Sequence, residues 1–139
     1  MLLAGRWSQA DALICATFDL HAPTRRFTAL ATRVAQCWAL LAAARLGDTD
    51  LVIRLRDQLL PYRRLACAAS VNMISGSVAY FTAEAALALG DPDAALADLA
   101  IAVETDEAMG ALPWLARARD ATSRAQTALL SRSPARPKV

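Results

Sequence analysis

Two pairs of carboxylates, Asp48/Asp50 and Asp91/Asp93, have a spacing that acid–base chemistry could use. Each pair directly follows a glycine and precedes an apolar-periodic stretch of sequence. An aspartate in that position caps the helix that follows, and the positive end of the helix dipole favours its charge. We therefore interpret both pairs as helix starts rather than as a catalytic site.

Other residues that could take part in catalysis or metal binding lack partners at a useful spacing. His21 is the only histidine, lies beside Pro23 and has no cysteine or carboxylate at metal-ligand spacing, so we interpret it as a loop residue. Ser75 and Ser77 flank Gly76 without the G-x-S-x-G arrangement of a nucleophile elbow. The sequence therefore predicts a non-enzymatic protein with no catalytic residues, no metal site and no cofactor.

Charge is unevenly distributed along the chain, although the net charge is only +2. No basic residue occurs between Arg64 and Arg117, whereas that interval holds seven acids and the flanks carry all 15 positive charges. This distribution is typical of a solvated acidic face, with an electrostatically polarised partner surface as the alternative. The residues that would form such a partner surface are Glu84, Asp98, Glu104, Asp106, Arg63, Arg64 and Arg117.

Arginines accompany aromatic residues at two places, where they could stack on bases or clamp phosphate. Tyr62 precedes Arg63, and Trp114 precedes Arg117 and Arg119. We interpret these arginines as a rim that pairs with neighbouring acids, since the small net charge gives no global argument for nucleic acid.

Composition favours an all-α fold in a single domain. Hydrophobic residues make up 56% of the 139 residues and aromatic residues only 6%, with alanine dominant. The cysteines Cys15, Cys37 and Cys67 are odd in number and set among apolar residues, which indicates reduced core thiols. The apolar start is too short for a signal peptide, and the longest apolar run, 37–44, is far below the roughly 20 residues of a membrane span. We expect a cytoplasmic protein without a membrane partner.

A segment of the sequence occurs twice, at 46–50 and 89–93, with an offset of 43 residues. Gly47 and Gly90 can adopt the left-handed conformation that ends one helix, while Asp48 and Asp91 can cap the next. Two helices that leave such a turn run antiparallel. Hairpin repeats of this kind are typical of modules that bind rather than catalyse.

Every periodic segment follows helical spacing and none alternates over the length of a strand. The sequence predicts at least five helices, no sheet, one domain over residues 1–130 and a disordered basic tail over 131–139. Gly76 falls inside a predicted helix, where glycine costs about 1 kcal/mol relative to alanine and indicates a bend or a close crossing. The predicted helices cover about residues 9–20, 24–47, 50–61, 71–89, 91–110 and 113–129.

The helical spacing also assigns faces. Trp7, Trp38 and Trp114 each lie on an apolar stripe, and we expect all three in the core. In the helix over 91–110 the apolar positions face inward, and the acids that we expect to face solvent are Asp98, Glu104 and Asp106.

Small residues around the second turn resemble the pattern of a tetratricopeptide repeat, in which small side chains let two helices touch. Ala83, Gly90, Ala95 and Ala102 hold the small positions, with Leu99 between the last two. In the first copy, the corresponding residues are Leu40, Val52, Leu59 and Arg56. The resemblance implies antiparallel hairpins in a right-handed, tetratricopeptide-like stack. Its structural positions are Gly47, Gly90, Ala83, Ala95, Ala102, Gly110, Pro113 and Trp114.

A second resemblance covers residues 38–126 and rests mainly on the run Gly110-Ala111-Leu112-Pro113-Trp114-Leu115-Ala116-Arg117. This part is similar to the C-terminal helical-repeat region of large actinobacterial regulators. In those proteins an ATPase module is joined to a cyclase-like sensor or to a DNA-binding helix-turn-helix. No G-x-x-x-x-G-K-[ST] phosphate loop occurs here, so ATP hydrolysis is not carried over.

These patterns lead us to expect a protein-interaction module related to signal-responsive transcriptional regulators. A groove between hairpins would take a partner helix or peptide, and the acidic interval would select a basic ligand. The alternatives are a nucleic-acid-associated protein that uses its arginine-rich flanks, or a truncated regulator remnant without independent function. The apolar residues that predict a symmetric homodimer through the terminal helices are Leu13, Ile14, Phe18, Leu115 and Leu129.

Overall fold

The computed structural model describes residues 27–70 and 73–132. These ranges contain five α-helices, one 3-10 turn and a two-stranded antiparallel sheet. The elements are α1 (Phe27–Leu46), α2 (Thr49–Leu59), the 3-10 turn (Leu60–Tyr62), β1 (Ala66–Ser70), β2 (Met73–Ser77), α3 (Val78–Ala88), α4 (Pro92–Ala108) and α5 (Leu112–Arg132). The mostly helical architecture and the expected minimum of five helices are confirmed.

Glycines and aspartates form the helix turns as predicted. Gly47 and Gly90 have φ values of +75° and +74°, which are left-handed conformations that glycine adopts without steric cost. Asp48 accepts a hydrogen bond from the Leu51 amide at 3.1 Å, and Asp91 accepts one from the Ala94 amide at 3.0 Å. Asp48 and Asp91 therefore cap α2 and α4, as the sequence predicts.

The central helix of the described part is α3, which contacts α1, α2, α4 and α5. Eight of its residues are buried, because a helix that is apolar on all sides needs neighbours on all sides. The small positions Ala83, Ala95 and Ala102 are each 0% exposed, and Leu99 is 1% exposed. These small positions and Leu99 therefore lie in the interior between helices.

The prediction of no sheet is wrong for residues 66–77, where a helix was expected from Val71 onward. There β1 and β2 pair antiparallel with Ala66 opposite Ser77 and an irregular register. Gly76 explains the difference: its φ is +73°, and a Cβ atom there would lie 2.7 Å from Cδ2 of Trp114. Ser77 then caps α3 by accepting a hydrogen bond from the Tyr80 amide, so the helix begins at Val78.

The chain ends differ from the prediction in one respect. Ser131 and Arg132 belong to α5 rather than to the tail, and an Arg132 guanidinium nitrogen donates to the Gly90 carbonyl. The predicted helix over about 9–20, with His21, lies outside the described residues, as does the remainder of the tail. Within residues 27–70 and 73–132, no helix is long and apolar enough to cross a membrane.

Candidate interaction surface

Four aromatic side chains from three helices form a cluster at one side of α3. Trp114 of α5 lies 5.7 Å from Tyr80, 5.8 Å from Phe81 and 6.1 Å from Trp38 of α1, measured between ring centroids. Four of the cluster's five ring pairs meet edge to face, an arrangement that the ring quadrupoles favour. Trp114 packs against the core as predicted. The prediction for Trp38 is wrong, because its side chain is 44% exposed.

Trp38 also begins a groove on the outer side of α1. This α1 groove is lined by Trp38, Leu41, Ala42, Arg45 and Leu46 and has a volume of about 230 Å³. The lining is apolar apart from the Arg45 guanidinium, and Leu46 is 51% exposed. The α1 groove is therefore an open apolar depression with one cationic group.

The expectation that Asp98 faces solvent is wrong, since it is 1% exposed. Its Oδ1 accepts a hydrogen bond from Arg63 at 3.3 Å, and its Oδ2 accepts one from Arg56 at 3.5 Å. Arg56 also donates from Nε to the Thr82 carbonyl at 3.3 Å. Burial of this carboxylate is tolerated because two guanidinium groups compensate its charge. We call Arg56, Arg63 and Asp98 the Asp98 clamp.

The same expectation is wrong for Asp106, which is 0% exposed. Neither carboxylate oxygen has a hydrogen-bond partner. Desolvation raises the pKa of Asp106 to about 6, and the Ser77 backbone amide, which approaches the carboxylate without making a regular hydrogen bond, offsets this rise only in part. Glu104, two residues earlier, is exposed as predicted.

Two further acids of the interval between Arg64 and Arg117 are paired with arginines. Glu84 accepts a hydrogen bond from Arg124 at 2.5 Å, and this contact raises the pKa of the Arg124 guanidinium. Glu107 pairs with Arg119 at 2.8 Å. The structure therefore does not assemble the predicted acidic surface: Asp98 and Asp106 are internal, and Glu84 and Glu107 are paired with arginines of α5.

The basic members of the predicted surface are also separated. Arg63 pairs with an acid, as expected for a rim residue, whereas Arg117 lies over the Trp114 ring at 4.7 Å. Arg64 is exposed. The α1 groove was not predicted, although Trp38, Ala42 and Leu46 follow helical spacing and form a stripe of their own.

Cys37 and Cys67 are buried free thiols, in agreement with the prediction, and Cys15 lies outside the described residues. A hydrogen bond between the two thiols raises the pKa of Cys37 and lowers that of Cys67. Within the described residues, no group of three or more histidine, cysteine or acidic side chains is placed to hold a metal ion.

Comparison of the chain with protein-family models, with curated proteins and with solved structures gives no match.

Proposed function

We propose that this chain is a non-enzymatic, tetratricopeptide-like protein-interaction module that receives an amphipathic helix in the α1 groove. The observation that carries the proposal is the exposure of large apolar side chains on one helix: Trp38 is 44% and Leu46 is 51% exposed, with a groove between them. Contiguous exposed apolar surface of this kind is typical of interaction sites. The helical fold and the buried small positions are consistent with a hairpin-repeat module.

The lining of the groove favours a particular ligand chemistry. From Trp38 to Leu46 the groove follows α1 for about 12 Å, which is about two helical turns. A partner helix would offer apolar residues at i, i+3 or i+4, and i+7 to this length. Because Arg45 is the charged group of the lining, an acidic residue beside the apolar stripe would complement it. The groove therefore favours an acidic ligand, whereas the acidic interval of the sequence suggested a basic one.

The nucleic-acid alternative has less support from the geometry. Arg56, Arg63, Arg119 and Arg124 are engaged with acids, and a base could stack on Trp114 only by displacing Arg117. A DNA shift assay over a range of salt concentrations checks this, because phosphate-driven binding weakens steeply with salt.

A peptide-display selection tests the proposal. We expect the wild-type chain to enrich amphipathic peptides that have the apolar spacing given above and an acidic residue beside it. The enriched peptides should bind the Ala42→Arg variant at least about tenfold more weakly, because a long charged side chain would fill the apolar depression into which the peptide's apolar residues pack. The matched control is Ala97→Arg, at an exposed alanine of α4, which should bind like the wild type. Equal binding to both variants would reject the α1 groove as the site.

A further inference from the structure

Two buried thiols lie side by side in the core, although they are 30 residues apart in the sequence. Cys37 belongs to α1 and Cys67 to β1, two elements in direct contact, and the two residues are 0% and 1% exposed. The Cys37 thiol donates a hydrogen bond to the sulfur of Cys67. Because the helix and the strand already hold the sulfur atoms together, a disulfide between them needs little movement of the backbone.

The surroundings of Cys67 favour its thiolate, which is the reactive form of cysteine. The hydrogen bond from Cys37 lowers the pKa of Cys67, burial opposes this effect, and the positive charge of Arg33 reinforces it. Arg33 lies one helical turn before Cys37, and its guanidinium is 3.9 Å from the centroid of the Tyr62 ring. The same hydrogen bond raises the pKa of Cys37. One thiol is therefore prepared as a nucleophile and the other as a proton donor.

The sheet is irregular at the position of Cys67. The ladder pairs Ala66 with Ser77 and Ala68 with Ile74, so two residues of β2 lie opposite Cys67 alone. A bulge of this kind disrupts the ladder locally, and a sheet of two strands is itself marginally stable. Ala66 and Ala68 on either side are only half-buried. Local opening at this point therefore admits a molecule as small as hydrogen peroxide, whereas a bulky disulfide reagent needs a larger opening.

We propose that Cys37 and Cys67 form a dithiol site for hydrogen peroxide, which oxidises the pair to a disulfide that fastens α1 to β1. The Cys67 thiolate attacks one peroxide oxygen: the S–O bond forms, the O–O bond breaks, and the leaving hydroxide takes up the proton that Cys67 had released. The Cys37 sulfur then attacks Sγ of the Cys67 sulfenic acid. The S–S bond forms, the S–O bond breaks, and hydroxide leaves as water with the Cys37 proton. Two thiols are thus oxidised by two electrons, and one peroxide is reduced to two water molecules.

Peptide mapping of the full chain after peroxide treatment tests this site. Trypsin cleaves after arginine and places the three cysteines on separate peptides, 7–25, 34–45 and 65–117. Native wild-type protein should give the link between 34–45 and 65–117 at least about tenfold in excess over any link to 7–25, because the fold holds that pair in contact. A dithiol reductant should remove the link. In urea the three pairings should form in comparable amounts, since loop-closure entropy changes slowly with loop length.

Dimedone, which traps sulfenic acids, tests the roles of the two thiols. Cys37→Ala removes the thiol that closes the disulfide, so the dimedone adduct should accumulate on peptide 65–117. Cys67→Ala should give at least about fivefold less adduct on peptide 34–45, because Cys37 is the protonated member of the pair. Alanine keeps both sites apolar, and the mapping of the wild-type chain needs neither variant. The matched control Cys15→Ala should form the disulfide like the wild type.

Four results would overturn the inference. Absence of the link in native protein would show that the two thiols are inert core residues, and the same proportions of the pairings with and without urea would show that the fold does not select this pair. Links between isotopically labelled and unlabelled chains in a mixture would assign the disulfide to two copies. Equal dimedone adducts in Cys37→Ala and Cys67→Ala would reject Cys67 as the thiol that reacts with peroxide.

Discussion

Asp106 is a carboxyl group that folding buries without a hydrogen-bond partner, so its protonation is coupled to stability. Its pKa is raised from the ordinary value of 3.8 to about 6 in the folded chain. The folded state therefore binds more protons than the unfolded state between these values. Stability is greatest below the ordinary pKa, falls as the pH rises towards 6, and is then level, with a total change on the order of 3 kcal/mol.

Replacing this carboxyl group tests the coupling. Asp106→Asn should remove most of the fall in unfolding free energy between about pH 4 and about pH 7, because an amide does not titrate in this range. The measurement is urea unfolding at several pH values. Glu104→Gln, two residues away on the exposed face, is the control and should keep the wild-type dependence. A dependence that persists in Asp106→Asn would assign it to another group.

Alanine substitutions at Gly76 and Gly47 distinguish two costs of replacing a left-handed glycine, namely backbone strain and a steric clash of the new Cβ atom. Both have positive φ, so alanine at either position should cost about 1 kcal/mol through the backbone. A Cβ atom at Gly47 meets nothing within 4 Å, whereas one at Gly76 would meet the Trp114 ring at 2.7 Å. Gly76→Ala should therefore destabilise the chain by a further 1–3 kcal/mol or so, as overpacking does. Denaturant unfolding measures both, and equal losses would show that the ring moves aside freely.

At the scale of elements, the Asp98 clamp joins α2 and the residue after the 3-10 turn to α4, and through Thr82 to α3. Asp98→Asn should cost about 3 kcal/mol or more, because it leaves the half-buried Arg56 guanidinium without its counter-ion. Arg63→Gln should cost much less, since that side chain is 44% exposed and solvent screens its charge. Unfolding of both variants measures the difference, and similar losses would show that the two arginines contribute alike.

Helix positions were predictable because local signals determine them. The left-handed glycines, the aspartate caps and the proline at the start of α4 act within a few residues, and each occurs as a recognisable sequence pattern. The sheet was not predictable in the same way. In the sequence Gly76 is compatible with a bend in a helix, whereas its left-handed backbone and its contact with Trp114, 38 residues away in sequence, place it in a strand.

The helical spacing of Asp98 and Asp106 places both on the buried face of α4, but the charge of an aspartate side chain favours exposure to solvent. Asp98 lies three residues after Ala95 and four before Ala102, and Asp106 lies four after Ala102, so all four share one face of α4. Because charged residues are rarely buried unless they are paired, the sequence predicts that both aspartates face solvent. Recognising Arg56 as the partner of Asp98 required the tertiary structure, since the two are 42 residues apart.

At the scale of the molecule, the uneven charge of the sequence is cancelled in part, because three of the seven acids of the interval form ion pairs with arginines. Arginines from both basic flanks reach the acidic interval: Arg56 and Arg63 from one side, Arg119 and Arg124 from the other. These pairs join segments that are distant in sequence. The surface that distinguishes the described part is thus apolar, and its position on α1 places it at the N-terminal end of the helical array.

Whether the chain self-associates depends on which apolar residues its surface exposes. Leu115 is 6% exposed and belongs to the interior, and Leu129 is half-buried. The exposed Leu112 and Leu130 lie at opposite ends of α5, about 27 Å apart, so α5 does not offer the continuous apolar face expected for a dimer. A symmetric dimer would instead use the α1 groove, where Trp38 and Leu46 are exposed. We therefore expect light scattering to report a concentration-dependent dimer of the wild type in the micromolar range and a monomer for Ala42→Arg, which places a charged side chain in the apolar groove. Ala97→Arg, at an exposed alanine of α4, is the matched control and should associate like the wild type. Equal association of the two variants would show that the α1 groove is not the contact, and a wild-type monomer would show that this apolar surface does not bind a second copy.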